Sequence, residues 1–168
     1  MDNSVYQTPE SEIKNKHDRQ GSPVKAVVVA TLVDIGGTMI FGILYVMAYW
    51  YYLESSGFSA EQIEKALAFD DLTSTISLIG IVGGGLISLY SGYLCAKIVN
   101  YDEFRVVTYY ACVMIVFNFL LTEEDTSITQ DIILNVITLM CIYVGAWLYV
   151  RKSKKENNES RHVFRSSI

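Results

Sequence analysis

Residues 75–97 read TISLIGIVGGGLISLYSGYLCAK, a stretch long enough and apolar enough to cross a bilayer as a helix. Small residues recur in it at every fourth position, namely Gly80, Gly84, Ser88, Gly92 and Ala96. In lipid, apolar side chains gain nothing by leaving one apolar solvent for another, so helices associate where small residues let backbones approach. The pattern therefore predicts a central helix against which neighbouring helices pack.

This small-residue row turns by about 40° around a straight helix at each step of four residues, so one near-parallel partner covers only part of it. One partner crossing at about −40°, or two partners at the two ends, would fit the row better. Packing within the chain is the favoured interpretation, and homodimerisation is the alternative. Gly37 and Gly42 of the preceding apolar block are the natural contacts for it.

The apolar residues make up 51% of the 168-residue chain and fall in four long blocks. We therefore expect an all-α fold, an integral membrane four-helix bundle with its helices at 26–53, 73–99, 104–121 and 128–150. Polar residues 1–25 are expected to form a disordered tail, and residues 151–168 a basic tail without a core-forming pattern. The short link after residue 99 predicts an antiparallel hairpin of the second and third helices.

Lysine and arginine residues are sorted to one side of this predicted bundle. The two tails and the link between the second and third helices hold 12 of the 13. The other side has only Lys65, and its loops hold nine acidic residues. Because cytoplasmic flanks of membrane helices accumulate Lys and Arg, we expect a multi-pass protein of the cell (inner) membrane with both termini cytoplasmic.

The first external loop has the pattern of a short amphipathic helix. Ser59 and Gln62 have capping-box spacing, and Glu61 precedes Lys65 by four residues, the favourable order for an ion pair on a helix. We expect this helix to lie at the membrane surface.

Asp34 is the one Asp, Glu, Lys, Arg or His deep inside a predicted span, about 12 Å into the first helix at 1.5 Å per residue. A central acid costs roughly 2.5–3.5 kcal/mol on insertion scales, so it is by default a functional hypothesis. Depth counting matches it with Tyr90 and Ser91 of the second helix and Tyr143 of the fourth. The long side chain of Lys97 could also reach inward to pair with it.

These five residues form the candidate proton, ion or buried polar site. The favoured interpretation is a neutral or paired Asp34 that only fixes helix packing. Proton or ion translocation and contact with a partner are the alternatives. Asn118 and Asn135, the other strongly polar residues in the spans, are expected to bond each other as a packing contact rather than to bind a substrate.

Sequence motifs of catalysis are missing from the chain. It has no GxSxG, HExxH, P-loop or CxxC pattern, and both histidines, His17 and His162, lie in the tails. We therefore expect no enzyme activity, no metal, no cofactor and no nucleic-acid partner. The expected partners are the lipid bilayer and either a second copy or another membrane protein.

Two family resemblances rest on short motifs. The run SGYLCAKI at residues 91–98, with DIGGT at residues 34–38, resembles small uncharacterised bacterial four-helix inner-membrane proteins, a family that implies no particular activity. Four helices with an acid in the first are also similar to the small multidrug resistance transporters, in which Asp34 would be the matching position. This chain departs from those transporters in using Asp rather than Glu and in its longer first loop.

From these observations we expect a non-enzymatic polytopic membrane protein that acts through helix packing with itself or a membrane partner, such as an accessory, immunity or assembly subunit. The alternative is a small proton-coupled transporter or channel that uses Asp34.

Overall fold

A computed structural model describes residues 21–67, 74–121 and 128–166, without the side chains of residues 121 and 156–166. These parts of the chain form five helices: α1 (Pro23–Ser55), α2 (Ala60–Leu67), α3 (Thr75–Val99), α4 (Glu103–Leu121) and α5 (Ile128–Ser166). All except α2 are long and apolar enough to cross a membrane. The predicted all-α class is therefore confirmed, and so is the presence of four helices long and apolar enough to span a membrane. The predicted disordered tail lies outside the described residues as far as residue 20.

Local sequence signals set the ends of the helices. The Ser22 side chain caps α1 by accepting a hydrogen bond from the backbone N–H of Lys25, and Pro23 begins the helix, where it needs no N–H partner. At the end of α3, Asn100 takes the left-handed conformation with φ 53°, and its N–H donates to the carbonyl of Ala96. The whole link to α4 is residues 100–102, so short that it makes α3 and α4 antiparallel neighbours.

The short helix α2 forms as predicted. The backbone N–H of Ser59 donates to Oε1 of Gln62 at 2.9 Å, and the N–H of Gln62 donates back to Oγ of Ser59 at 3.4 Å. Lys65 and Glu61 form the expected ion pair at 3.2 Å. Ile63 is buried where α2 packs against α1. The position of α2 at a membrane surface stays a prediction.

Two helix bounds differ from the prediction by three residues or more. The first helix begins three residues earlier, at Pro23, and α5 continues through the predicted basic tail to Ser166. Lys, Arg and Glu are good helix formers, and extending an existing helix adds one hydrogen bond for each residue fixed. A helix therefore needs no core-forming pattern to continue beyond its apolar part. The predicted start of the second span at residue 73 lies outside the described residues.

Helix α3 packs against the other three long helices and makes its most extensive contacts with α5 and α1. Two glycines bring the backbones of α3 and α5 together. A Cβ at Gly92 would overlap the carbonyl of Ile142, and a Cβ at Gly145 would overlap the carbonyl of Leu89. On the side towards α1, the ring of Phe41 occupies the space that a Cβ on Gly83 would need.

Two helix ends and the middle of a third helix meet at one place in the molecule. The N–H of Gly21 donates to the carbonyl of Val99 at 3.3 Å, and the hydroxyl of Tyr149 donates to Oδ1 of Asn100 at 2.8 Å. These contacts join the start of α1, the end of α3 and the middle of α5. The buried core lies towards this place: Ala26, Ala30, Cys95, Ala96, Val99, Val106, Val107, Tyr110, Met114, Ile142 and Ala146.

The outer faces of the long helices carry large apolar side chains. Leu32 of α1, Leu86 of α3 and Leu120 of α4 are each more than 60% exposed. In water so much exposed apolar surface would promote aggregation, whereas in a bilayer it contacts the apolar lipid chains. The exposed surface therefore fits a multi-pass membrane protein.

Replacing Gly92 by Ala should destabilise the fold by about 1–3 kcal/mol. The added methyl group would overlap the backbone of Ile142, which cannot rotate aside as a side chain can. Gly84→Ala on the same helix is the matched control. No atom lies within 4 Å of its Cβ position, so it should be neutral or gain up to about 1 kcal/mol from helix propensity. Unfolding of the two purified variants in detergent measures the difference. Equal stabilities would contradict the close contact of α3 and α5.

Candidate functional site

Asp34 lies on the packed face of α1, in register with Ala26 and Ala30 at intervals of four residues. All three are buried, and Asp34 is only 1% exposed. Residues four apart share one face of a helix, so the two alanines bring the backbone of α1 close to its neighbours at the level of the acid. The acid therefore points into the protein rather than into lipid.

Both carboxyl oxygens of Asp34 have hydrogen-bond partners on other helices. The hydroxyl of Ser88 on α3 donates to Oδ1 at 2.9 Å. The hydroxyl of Tyr110 on α4 is hydrogen-bonded to Oδ2. Tyr110 and Ser88 are themselves buried. One side chain of α1 thus ties together three helices.

The surroundings of this cluster bring in the fourth long helix. Cys141 of α5 lies within electrostatic range of Asp34, and its Sγ is 3.3 Å from the position of a Cβ on Gly85. Thr38, one turn further along α1, approaches the carboxyl group, and Cys95 of α3 lies close to Tyr110. The neighbours that the structure gives Asp34 are thus hydroxyl and thiol groups.

Two buried hydroxyls near the acid are left without a hydrogen bond. Ser91 is fully buried beside the Tyr110 hydroxyl, yet its Oγ has no partner of normal geometry in the described part of the chain. The same holds for Oγ1 of Thr31, one turn before Asp34. Buried polar atoms nearly always find partners, so such groups need an explanation.

The structure separates the residues predicted to share a site with Asp34. Ser91 faces inward towards the Asp34 cluster, but Tyr90 is 56% exposed on the outer face of α3. Adjacent residues on a helix point about 100° apart, so equal depth does not mean an equal direction. Lys97 is exposed as well, and the hydroxyl of Tyr143 is 3.0 Å from Oγ1 of Thr108 rather than near the acid.

The small-residue row divides between two partner helices. Ser88 contacts α1 through Asp34, Gly92 contacts α5, and Ala96 is fully buried. Gly80 is half-buried, and Gly84 has nothing within 4 Å of its Cβ position. The row therefore packs against two partner helices, one of the two predicted arrangements. The space beside Gly84 is not occupied by any other described residue.

The two predicted contacts on α1 also differ from each other. A Cβ at Gly37 would lie 3.0 Å from the side chain of Ile87, so this glycine does face α3. Gly42 has no atom within 4 Å of its Cβ position.

Tyr110 was missing from the predicted site, although depth counting could have found it. It lies seven residues into α4, about 10 Å at the standard rise, close to the depth of about 12 Å estimated for Asp34. The counting covered the second and fourth spans but not the third. Ser88 was identified only as a small residue, because a serine in a row of glycines looks like a packing contact.

A second polar contact joins α4 and α5. Nδ2 of Asn118 donates to Oδ1 of Asn135 at 2.9 Å, which confirms the predicted pairing. Nδ2 of Asn135 in turn donates to the backbone carbonyl of Asp131. With its amide groups satisfied inside the protein, this pair has the character of a packing contact.

The Asp34 cluster is chemically able to hold a proton and to fix three helices relative to one another. Among the described residues, no histidine lies beside its hydroxyl groups to act as a base. In the same parts of the chain, no group of three or more His, Cys, Asp or Glu side chains is arranged to hold a metal ion.

Comparison with protein-family models, with curated proteins and with solved structures gave no match to this chain.

Proposed function

We propose that this chain is a non-enzymatic membrane protein that acts through helix packing with itself or a membrane partner, as an accessory, immunity or assembly subunit. The observation that carries this proposal is the complete enclosure of Asp34. Its carboxyl group is 1% exposed, and both oxygens are bonded to hydroxyls of neighbouring helices. An acid used in this way holds helices together.

A translocation site has a different requirement. An acid that loads and releases protons or ions must open to one side of the membrane, through a polar path. The low exposure of Asp34 therefore favours the packing role over the alternative, a small proton-coupled transporter or channel.

Three glycines with free space at their Cβ positions support association with another helix. In the described part of the chain, nothing lies within 4 Å of the Cβ positions of Gly84 on α3 and of Gly36 and Gly42 on α1. Glycines cost helix stability, and in membranes they are typical of surfaces where a second backbone approaches closely. A second copy of the chain or a membrane partner would give these three positions a packing role.

The proposed setting is a four-helix transmembrane bundle in the cell (inner) membrane with both termini cytoplasmic. Twelve of the 13 Lys and Arg residues flank the helix ends on the proposed cytoplasmic side. The contacts of Gly21 with Val99 and of Tyr149 with Asn100 support this arrangement, since Lys25, Lys97 and Arg151 lie close to them in the sequence.

Asp34→Asn and Gly84→Leu separate the packing role from transport. The Asn side chain can accept from Ser88 and donate to Tyr110, so this variant should express and associate like the native chain. Gly84→Leu should reduce association about tenfold, equivalent to about 1.4 kcal/mol, because the bulky side chain fills the space left for a partner. Co-purification of two differently tagged copies in mild detergent, together with the size of the complex on native gels, measures both effects.

Val82→Leu is the matched control, because Val82 lies on the same helix and is 61% exposed. Equal association of the Gly84→Leu and Val82→Leu variants would contradict the packing role. A proton-driven flux in vesicles that Asp34→Asn abolishes, with the complex intact, would establish the transporter instead.

The orientation is tested with single cysteines in a cysteine-free chain. Cysteine at position 65 should react with a membrane-impermeant maleimide in intact cells, because this position is proposed to lie outside. Cysteine at position 154 should react only after the cells are permeabilised. The opposite labelling pattern would exclude cytoplasmic termini.

A further inference from the structure

The partners of Asp34 raise the question of its charge. A buried ionised carboxylate is costly unless a cation pairs with it, since neutral donors compensate only part of the lost hydration. Its hydrogen-bond partners, Ser88 and Tyr110, are uncharged. The cations on the same three helices, Lys25 on α1, Lys97 on α3 and Arg105 on α4, are all exposed. The surroundings therefore disfavour the charged form.

A neutral carboxyl group changes the demands on the hydrogen bonds. It has one O–H donor, which needs an acceptor, and one carbonyl oxygen. Oδ1 accepts from Ser88 and suits the carbonyl role. Oδ2 faces the hydroxyl oxygen of Tyr110, and this contact has the same heavy-atom positions whichever oxygen donates.

Ser91 can follow either direction. If Asp34 is ionised, Tyr110 donates its one proton to the carboxylate, and the Ser91 hydroxyl can donate to the oxygen of Tyr110. If Asp34 is neutral, it donates to Tyr110, and the Tyr110 proton is free to turn towards Ser91. Ser91 is fully buried beside this hydroxyl, so a small rotation completes the bond. Because both directions pair all three groups, the burial of Asp34 among uncharged partners decides between them and favours the neutral acid.

We propose that Asp34 is a buried proton-binding site, a neutral carboxylic acid that donates to Tyr110, which in turn donates to Ser91. Ser88 donates to the other carboxyl oxygen, so the bound proton orders a relay of hydrogen bonds across α1, α3 and α4. Loss of the proton would reverse the relay, so that Ser91 donates to Tyr110 and Tyr110 donates to the carboxylate. This inference rests on the packing role proposed above and specifies the protonation state in which the helices are held.

The titratable groups around the site are few. Tyr110 comes from α4, Cys95 from α3 next to Tyr110, and Cys141 from α5. From α1 itself, the hydroxyls of Thr31 and Thr38 lie within one turn of the acid. None of these groups supplies a positive charge that would hold a carboxylate.

Infrared spectroscopy of the purified full-length chain tests the proposal at neutral pH. Exposed carboxyl groups are ionised there, so a protonated carboxyl C=O band reports a buried neutral acid. We expect the native chain to have this band and Asp34→Asn to lose it. We also expect Ser91→Ala to shift the band, because removing the last acceptor weakens the hydrogen bond that Asp34 donates.

Ser77→Ala is the matched control for Ser91→Ala, since Ser77 is a buried serine of the same helix whose hydroxyl bonds Ser74. It should leave the band unmoved. A native spectrum without a band that depends on Asp34 would overturn the proposal, and so would equal spectra of the two serine variants. The serine comparison also decides the matter if Asp34→Asn does not fold.

Failure of this inference is distinguishable from failure of the packing role. Two results together would show that Asp34 binds a cation instead of a proton. The first is a carboxylate signal that Asp34→Asn loses, and the second is stabilisation of the native chain by Na⁺ alone. That outcome overturns the neutral relay but leaves the association of Gly84→Leu and Asp34→Asn variants as the independent test of packing.

Discussion

The hydrogen bonds between Asp34, Ser88 and Tyr110 supply what apolar packing in a membrane lacks, a reason for helices to adopt one rotation. Lipid solvates one face of an apolar helix as well as another, so the hydrophobic effect does not select the face that turns inward. A buried carboxyl group does select it, because every orientation that leaves this group in hydrocarbon costs several kcal/mol. Through Asp34 the rotations of α1, α3 and α4 are fixed together.

Glycine contacts then set how closely the helices approach. At Gly92 and Gly145 the backbones of α3 and α5 meet with no side chain between them. Such contacts gain dispersion energy over a long stretch, and their strength falls quickly with distance. The polar cluster and the glycine contacts are complementary, since the first specifies the direction of packing and the second its distance. Gly84 lies one turn before Ser88 and has no other described residue within 4 Å of its Cβ position, which is why it is proposed to take part in association between chains.

The fold was more predictable than the site, for a physical reason. Length and composition identify a spanning helix without knowledge of its neighbours, and the capping box at Ser59 and the pairing of Asn118 with Asn135 rest on spacing or depth alone. The rotation of a helix depends on what it packs against, so depth counting assigned Tyr90 and Ser91 equally to the acid although only Ser91 turns inward. Counting depth along α4 in the same way also places Tyr110 near the level of Asp34. The continuation of α5 was not predictable in this way, because a helix that extends beyond its apolar part needs no periodic apolar pattern.

The most direct test of the central claim is a double-mutant cycle between Asp34→Ala and Tyr110→Phe, measured as reversible unfolding of the chain in detergent or lipid. The account predicts a coupling between about 0.6 kcal/mol, the average for hydrogen bonds between membrane helices, and about 1.7 kcal/mol, the largest such value. Tyr90→Phe removes an exposed hydroxyl and should be additive with Asp34→Ala within about 0.5 kcal/mol. If Tyr110→Phe were equally additive, Asp34 would not tie α1 to α4, and the account of the packing would be wrong.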